Sequence, residues 1–119
     1  MMSTNIIIII ILLGLLIWRL RPVKGIRNIT TAELKNELGD NNKQFIDVRT
    51  PGEFKGRSIK EFKNIPLDQL TNKVSSLSKE KEVVVICQSG MRSARAAKIL
   101  KKLGFQKITN VKGGMSAWQ

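Results

Sequence analysis

The stretch that most constrains the fold is an apolar run that ends on the only cysteine of the chain. Val83 to Ile86 are four apolar residues in a row, a pattern typical of a strand buried on both faces. Cys87 ends this strand, a short polar loop with one glycine follows, and residues 92–103 have a helical pattern. Free N–H groups and the dipole at a helix N-terminus stabilise a thiolate. The stretch therefore predicts an active site built on a reactive cysteine.

Two features of the composition limit the kinds of catalytic and metal site that the chain could contain. A single cysteine excludes an intramolecular disulfide and a metal site with several cysteines. The chain has no histidine, which excludes Ser-His-Asp triads, Cys-His dyads and imidazole metal ligands. If the thiol acts as a nucleophile, nearby dipoles and charges must therefore stabilise its thiolate, because no histidine base is available. We expect no metal and no organic cofactor.

The N-terminal segment is strongly apolar. Residues Ile6 to Trp18 are apolar without interruption, and no charged residue occurs before Arg19. Eighteen uncharged residues reach roughly 27 Å as a helix, close to the ~30 Å hydrocarbon core of a bilayer. We therefore expect residues 1–20 to form a transmembrane anchor, with the membrane contacted by residues 6–18. A cleaved signal peptide fits less well, because basic residues before the run and a small-residue cleavage pattern are both missing.

The charge pattern predicts the topology and leaves the partner open. The cations nearest the apolar run all follow it, which places the domain after it in the cytoplasm. Residues 21–25, with Pro22, form a basic linker, and residues 26–119 form the domain. The net charge is +12. It is compatible with a solvated basic surface or with attraction to an anionic membrane face. Nucleic acid is not expected as a partner, because the lysines are dispersed and aromatic residues are not interleaved with them.

Strands and helices are predicted to alternate through the rest of the chain. Strands are expected at residues 26–29, 45–48, 65–67, 83–87 and 107–111, with Pro66 marking an edge strand. Thr30 and Thr50 each precede a predicted helix or turn, and Thr30 has the capping-box spacing to Glu33. Apolar residues at 67, 70, 74 and 77 predict another helix. The alternation indicates an α/β fold with a parallel sheet covered on both faces. Cys87 and the Asp47–Arg49 corner then lie at the carboxyl ends of strands, where ligands bind in such sheets.

Four pieces of residues 26–119 together resemble a single-domain rhodanese, a sulfurtransferase module. They are Phe45-Ile46-Asp47-Val48-Arg49-Thr50-Pro51-Gly52-Glu53-Phe54, Asn64-Ile65-Pro66-Leu67, Val85-Ile86-Cys87-Gln88-Ser89-Gly90-Met91-Arg92-Ser93 and Lys112-Gly113-Gly114-Met115-Ser116-Ala117-Trp118. The resemblance implies a five-stranded parallel sheet flanked by helices. It also implies that Cys87 carries a persulfide, without a cofactor or a metal.

The resemblance assigns the active-site loop residue by residue. Gln88, Ser89, Gly90 and Met91 match the loop that wraps the sulfur, and Arg92 matches the cation that closes it. Successive N–H groups of such a loop form an anion-binding nest. Asp47 and Arg49 are possible supporting residues, with a structural role favoured for both and Arg49 expected to reach Glu53. The Gly113-Gly114 pair is interpreted as a turn before a terminal helix.

One segment departs from the family pattern. Gly56-Arg57-Ser58-Ile59 stands where the family usually has Gly-His-Ile, and Glu61-Phe62 replace a common small pair. No role of that segment is therefore carried over. The missing histidine removes no step from persulfide transfer.

Several functions remain open at this point. The favoured one is transfer of a sulfane sulfur from thiosulfate or a persulfide donor, through Cys87, to cyanide, a thiol or a protein acceptor. A phosphatase or arsenate reductase is less favoured, because Cys87 and Arg92 have Cys-x4-Arg spacing whereas cysteine phosphatases use Cys-x5-Arg. A tethered docking or thiol-sensing module would use the same fold without catalysis. Cys87 could also be a buried core thiol, and Arg92 a helix residue paired with an acid.

Overall fold

The computed structural model describes residues 3–20 and 25–119. Helix α1 (Thr4–Leu20) has 17 residues, and the apolar side chains from Ile6 to Trp18 are exposed along its length. Within the described ranges no helix is long and apolar enough to cross a membrane. The predicted transmembrane anchor over residues 1–20 is therefore not supported. The predicted linker lies mostly outside the described residues, since residues 21–24 are not among them.

Five parallel strands form one sheet, as predicted. They are β1 (Ile26–Ile29), β2 (Lys43–Asp47), β3 (Lys63–Asn64), β4 (Glu82–Ile86) and β5 (Ile108–Val111). Their order is β1-β5-β4-β2-β3, so β4 lies in the middle and β1 lies at an edge. The strand that Cys87 directly follows is thus the central strand of the sheet.

The edge strand predicted at residues 65–67 is wrong in position. The ladder between β2 and β3 ends at Asn64. The N–H groups of Ile65 and Leu67 still donate to the carbonyl oxygens of Asp47 and Val48, at 3.0 and 3.1 Å. Pro66 lies between them without an N–H to donate, and the chain turns at Leu67 into a 3-10 helix (Leu67–Gln69).

The helices cover both faces of the sheet. They are α2 (Thr31–Glu37), α3 (Pro51–Gly56), α4 (Leu70–Lys73), α5 (Met91–Lys102) and α6 (Gly114–Ala117). The continuous helix expected from Leu67 to Leu77 is broken, because 3-10 turns at 67–69 and 74–76 flank the four residues of α4. Thr30 and Thr50 are both N-caps with complete capping boxes to Glu33 and Glu53.

Alternate residues of β4 belong to the two cores. Val83 and Val85 pack with the buried face of α5, which includes Ala96, Ala97 and Leu100. Val84 and Ile86 pack on the opposite side with Leu34 of α2 and Met115 of α6. The apolar run of β4 is therefore explained by burial on both faces, as in other parallel sheets.

A network of charged side chains joins the amino ends of the strands. The guanidinium of Arg27 contacts the carboxylates of Glu37 and Glu82, and the ammonium of Lys43 lies 3.1 Å from each of these two residues. Glu82 also accepts a hydrogen bond from the Thr109 hydroxyl at 3.0 Å. This network joins β1, α2, β2, β4 and β5 at the end of the sheet opposite Cys87.

Candidate functional site

Cys87 lies directly after β4, at the carboxyl edge of the sheet, and is fully buried. Residues 87–90 form a loop, and α5 begins at Met91. Gly90 has φ +102°, in the left-handed region that glycine adopts without strain. This turn directs the N–H of Gly90 at the sulfur of Cys87, 3.0 Å away.

The sulfur has a second partner in the first turn of α5. The Cys87 thiol donates to Ser93 Oγ at 3.3 Å, and the Ser93 hydroxyl donates to the carbonyl oxygen of Gly90 at 3.1 Å. Ser93 is fully buried. The same hydroxyl is able to donate to the sulfur when Cys87 is ionised, because a hydroxyl rotates about its C–O bond.

These contacts favour the thiolate over the thiol. Burial raises the pKa of Cys87, but hydrogen bonds outweigh it and the pKa is lowered from its ordinary value of 9.0. The donors are the Ser93 hydroxyl and the backbone N–H groups of Ser93, Gly90 and Ser89. The loop therefore acts as an anion-binding nest around the sulfur.

The side chains of the predicted loop residues lie in different places. Gln88 does not point at the sulfur: its amide donates to Ser116 Oγ at 3.2 Å and its oxygen accepts from Arg49 at 3.4 Å. Ser89 is exposed, and Met91 is 76% exposed. Of these residues, Ser89 and Gly90 contribute to the sulfur site through their backbone.

Arg92 forms an ion pair with an acidic residue. This pairing is one of the two alternatives considered for Arg92 from the sequence. Its two terminal nitrogens donate to the two carboxylate oxygens of Glu53 at 2.7 and 2.9 Å. The Glu53 partner, and more weakly the charges of Cys87 and Asp47, raise the pKa of Arg92. In turn, hydrogen bonds from Arg92 and Thr50 lower the pKa of Glu53 to about 2. Glu53 thus fixes the orientation of the Arg92 guanidinium and neutralises its positive charge.

Asp47 and Arg49 form a buried ion pair that braces the site. Arg49 Nη2 lies 2.9 Å from Asp47 Oδ2, and both side chains are almost fully buried. Arg49 also donates to the carbonyl oxygen of Glu53 at 3.3 Å and to that of Arg57. The expectation that Arg49 reaches Glu53 holds for its backbone oxygen only, because the Glu53 carboxylate is taken by Arg92. These contacts support the structural role expected for the pair.

The C-terminal glycines do more than form a turn. Gly113 and Gly114 have positive φ angles of +81° and +55°. Gly113 is the N-cap of α6, and Gly114 is its first residue. The N–H of Met115 donates to the carbonyl oxygen of Cys87 at 2.8 Å, and that of Ser116 donates to the carbonyl oxygen of Gln88 at 2.9 Å. A Cβ on Gly114 would overlap the Cys87 oxygen. The backbone of α6 therefore fixes the backbone of the cysteine loop through these two hydrogen bonds.

The segment that departs from the family pattern lies against the C-terminus. Ser58 is exposed, whereas the Arg57 guanidinium donates to the carbonyl oxygen of Trp118 at 2.6 Å. The segment thus contributes a link between α3 and the end of the chain.

Sequence reasoning missed three contributors to this site: Ser93, Glu53 and Gly114. Ser93 carried a detectable signal, because a serine in the first turn of the helix, three residues after Gly90, is spaced to hydrogen-bond back to the loop. The Glu53 contact with Arg92 and the Gly114 contact with Cys87 join residues that are 39 and 27 positions apart in the chain. No local pattern could indicate them.

The fold and the site together define a class of protein. It is an α/β protein in which the central parallel strand delivers one cysteine into an anion-binding loop at the start of a helix.

Comparison with known proteins identifies the family within that class. The family model for the rhodanese-like domain matches residues 30–119. The chain is 37% identical to the protein YqhL of Bacillus subtilis, over 97% of its own length and 93% of that protein. It is 30% identical to a sulfurtransferase of Allochromatium vinosum, over 78% of this chain and 88% of that one. The crystal structure of a rhodanese-like domain protein from Staphylococcus aureus superposes with a TM-score of 0.72 at 37% identity, covering 78% of this chain and 91% of that one. The chain belongs to the rhodanese-like family.

Proposed function

We propose that the protein is a sulfurtransferase that carries a sulfane sulfur as a persulfide on Cys87. The observation that carries the proposal is the set of hydrogen-bonding groups around the sulfur, in which the Gly90 N–H donates at 3.0 Å and Ser93 Oγ accepts from the thiol at 3.3 Å. A field that stabilises a thiolate also stabilises the terminal sulfur anion of a persulfide. The similarity to a sulfurtransferase of Allochromatium vinosum supports the same reaction class.

The first step with thiosulfate as donor is a displacement at sulfur. The thiolate of Cys87 attacks the outer sulfur of thiosulfate and forms a new S–S bond. The S–S bond of thiosulfate breaks, and sulfite leaves with the bonding electron pair. No external oxidant or reductant is needed, because the outer, sulfane sulfur moves to Cys87 and the inner sulfur leaves as sulfite with the electron pair of the broken bond.

The second step returns the enzyme to its starting state. A thiophilic acceptor such as cyanide, a small thiol or a protein thiol attacks the outer sulfur of the persulfide. The bond between the two sulfurs breaks, and Cys87 leaves as a thiolate that the loop again stabilises. The lowered pKa of Cys87 makes it a better leaving group in this step.

Intact-mass measurement tests the proposal directly. Incubation with thiosulfate should add the mass of one sulfur atom, and cyanide should then remove it and release thiocyanate. Cys87→Ala should gain no sulfur. Failure to form an adduct with thiosulfate and with an organic persulfide would overturn the proposal, whereas hydrolysis of an aryl phosphate would favour phosphatase chemistry.

We also propose that the domain acts in the cytoplasm. A reducing compartment keeps an unpaired thiol available for sulfur transfer. Fractionation of cells, with protease added to intact and to opened cells, checks this location. Digestion in intact cells would contradict it.

A further inference from the structure

Two pairs of opposite charges lie beside the cysteine loop. In the first pair, Arg49 Nη2 lies 2.9 Å from Asp47 Oδ2, and both side chains are almost fully buried. In the second pair, Arg92 Nη1 lies 2.7 Å from Glu53 Oε1, and the side chains are 35% and 32% exposed. The formal charges cancel within each pair, so neither arginine presents an uncompensated positive charge to an anion that approaches the sulfur.

The partly exposed pair is the one that acts on an incoming sulfur donor. Arg92 is close enough to Cys87 for their charges to interact, because the ionised sulfur is one of the groups that raise the pKa of Arg92. The Glu53 carboxylate is in direct contact with Arg92, so its negative charge opposes the attraction of the same guanidinium for an anion at the sulfur.

Lys112 also lies beside the loop. Its Cα lies 3.6 Å from the position that a Cβ on Gly90 would occupy, and its side chain is exposed. It forms no ion pair within the described part of the chain. Lys112 therefore attracts any anionic sulfur donor, and Glu53 decides whether Arg92 adds to that attraction.

We propose that Glu53 is a specificity-determining residue: by neutralising Arg92, it disfavours the doubly charged thiosulfate relative to a singly charged sulfane donor such as an organic persulfide. The assignment rests on the proposed function, in which the Cys87 thiolate attacks the outer sulfur of either donor. A new S–S bond forms, and sulfite or an organic thiolate leaves with the electron pair of the broken bond. The electrostatic energy of a sulfur donor at the loop scales with its charge, so the Glu53 carboxylate disfavours the dianion more strongly than the monoanion.

Alkylation of Cys87 measures the effect of Glu53 without any sulfur transfer. Iodoacetate is an anion and iodoacetamide is neutral, and the ratio of their rates does not depend on the fraction of thiolate. Glu53→Gln should raise this ratio about threefold, as expected for one partly exposed charge. The increase should shrink in about 0.5 M NaCl, because salt screens the interaction.

Two features of the chain keep this comparison controlled. Glutamine at position 53 keeps an oxygen that accepts from the Thr50 N–H, so the capping box should persist. Glu61→Gln removes the same charge from an exposed residue that forms no ion pair within the described ranges. It should leave the alkylation ratio unchanged.

Sulfur transfer from two donors of different charge completes the test. With cyanide as acceptor, Glu53→Gln should raise the ratio of kcat/KM for thiosulfate to kcat/KM for the singly charged benzenethiosulfonate about threefold. An unchanged ratio of the two donors, or an alkylation ratio equal to that of Glu61→Gln, would overturn the assignment. A protein that takes sulfur from neither donor but shows the threefold change in alkylation would refute the proposed function and leave the electrostatic role of Glu53 standing.

Discussion

Two of the groups that hydrogen-bond to the sulfur of Cys87 have different properties. The N–H of Gly90 donates in both ionisation states, because it is fixed by the backbone. The Ser93 hydroxyl accepts from the thiol and is free to donate to the thiolate. Ser93 is therefore the side chain whose hydrogen bond responds to the charge on the sulfur.

Ser93→Ala should lower the fraction of Cys87 that is present as thiolate at neutral pH. Removing a hydrogen bond to a charged group costs about 1.5–3 kcal/mol, so alkylation by iodoacetamide at pH 7 should slow about tenfold or more. The sign follows from the lowered pKa of Cys87, which should move back toward 9.0 without this donor. The pH dependence of the alkylation rate measures the change.

Ser89→Ala is the matched control for this prediction. The Ser89 side chain is exposed, and its contribution to the pKa of Cys87 comes from its backbone N–H, which the substitution keeps. An equal loss of reactivity in both variants would contradict a specific role for the Ser93 hydroxyl.

At the scale of elements, Glu53 joins the N-terminus of α3 to the first turn of α5. Its carboxylate accepts from the backbone and hydroxyl of Thr50 and from Arg92. The pKa of Glu53, lowered to about 2 from 4.5, means that its ionised form stabilises the folded state. This contribution is fully present above pH 4.5 and is lost as the pH falls through about 2.

Glu53→Gln should therefore lower stability in a pH-dependent way. The urea midpoint of the variant should lie below that of the wild type at pH 6, and the difference should narrow as the pH falls from 4.5 toward 2. Glu61→Gln is the control, because Glu61 is exposed and forms no ion pair within the described part of the chain. A difference that stays constant with pH would show that the ionised carboxylate is not the stabilising group.

The contact between α6 and the cysteine loop predicts a severe effect of Gly114→Ala. The new Cβ would overlap the Cys87 oxygen, and the residue would keep a φ of +55°. We expect a loss of about 2–4 kcal/mol in the free energy of unfolding and a lower alkylation rate of Cys87. Gly52→Ala in α3 has open space around its Cβ and should change stability by less than about 1 kcal/mol. Denaturant unfolding compares the two variants, and similar midpoints would show that the contact between Gly114 and the cysteine loop does not constrain the fold.

Elements that depend on local patterns could be predicted from the sequence. The apolar run of β4, the capping box at Thr30, the start of a turn or helix after Thr50 and the loop after Cys87 each involve residues close together in the chain. The segment from Leu67 to Leu77 could not, because its helical spacing does not show where 3-10 turns interrupt the helix. The partners of Arg92 and of the Cys87 carbonyl oxygen, Glu53 and Met115, could not be predicted either. These contacts depend on which strands are neighbours in the sheet.

At the scale of the whole molecule, the domain and α1 are separate in their packing. Both core clusters of the described structure are built from residues after Gly25, and the apolar side chains of α1 are exposed. The two ends of the sheet also differ, with the ion-pair network at the amino ends of the strands and the cysteine loop at the carboxyl ends.

A protein of residues 25–119 should therefore fold as stably as the full chain. The free energy of unfolding should agree within about 0.5 kcal/mol, because no core contact is removed. Denaturant unfolding of both proteins, with the alkylation rate of Cys87 as a second readout, checks this expectation. A markedly less stable shorter protein would show that α1 contributes to the core.

The position of α6 in the chain also sets the order in which the site is completed during synthesis. Cys87 and its loop leave the ribosome before Met115 and Ser116, whose N–H groups hold the carbonyl oxygens of Cys87 and Gln88. Domains fold as units as the chain emerges from its N-terminal end. The nascent chain therefore carries the cysteine for some time without its backbone support, and the sulfur acquires its final environment only when the last turn of the domain has emerged.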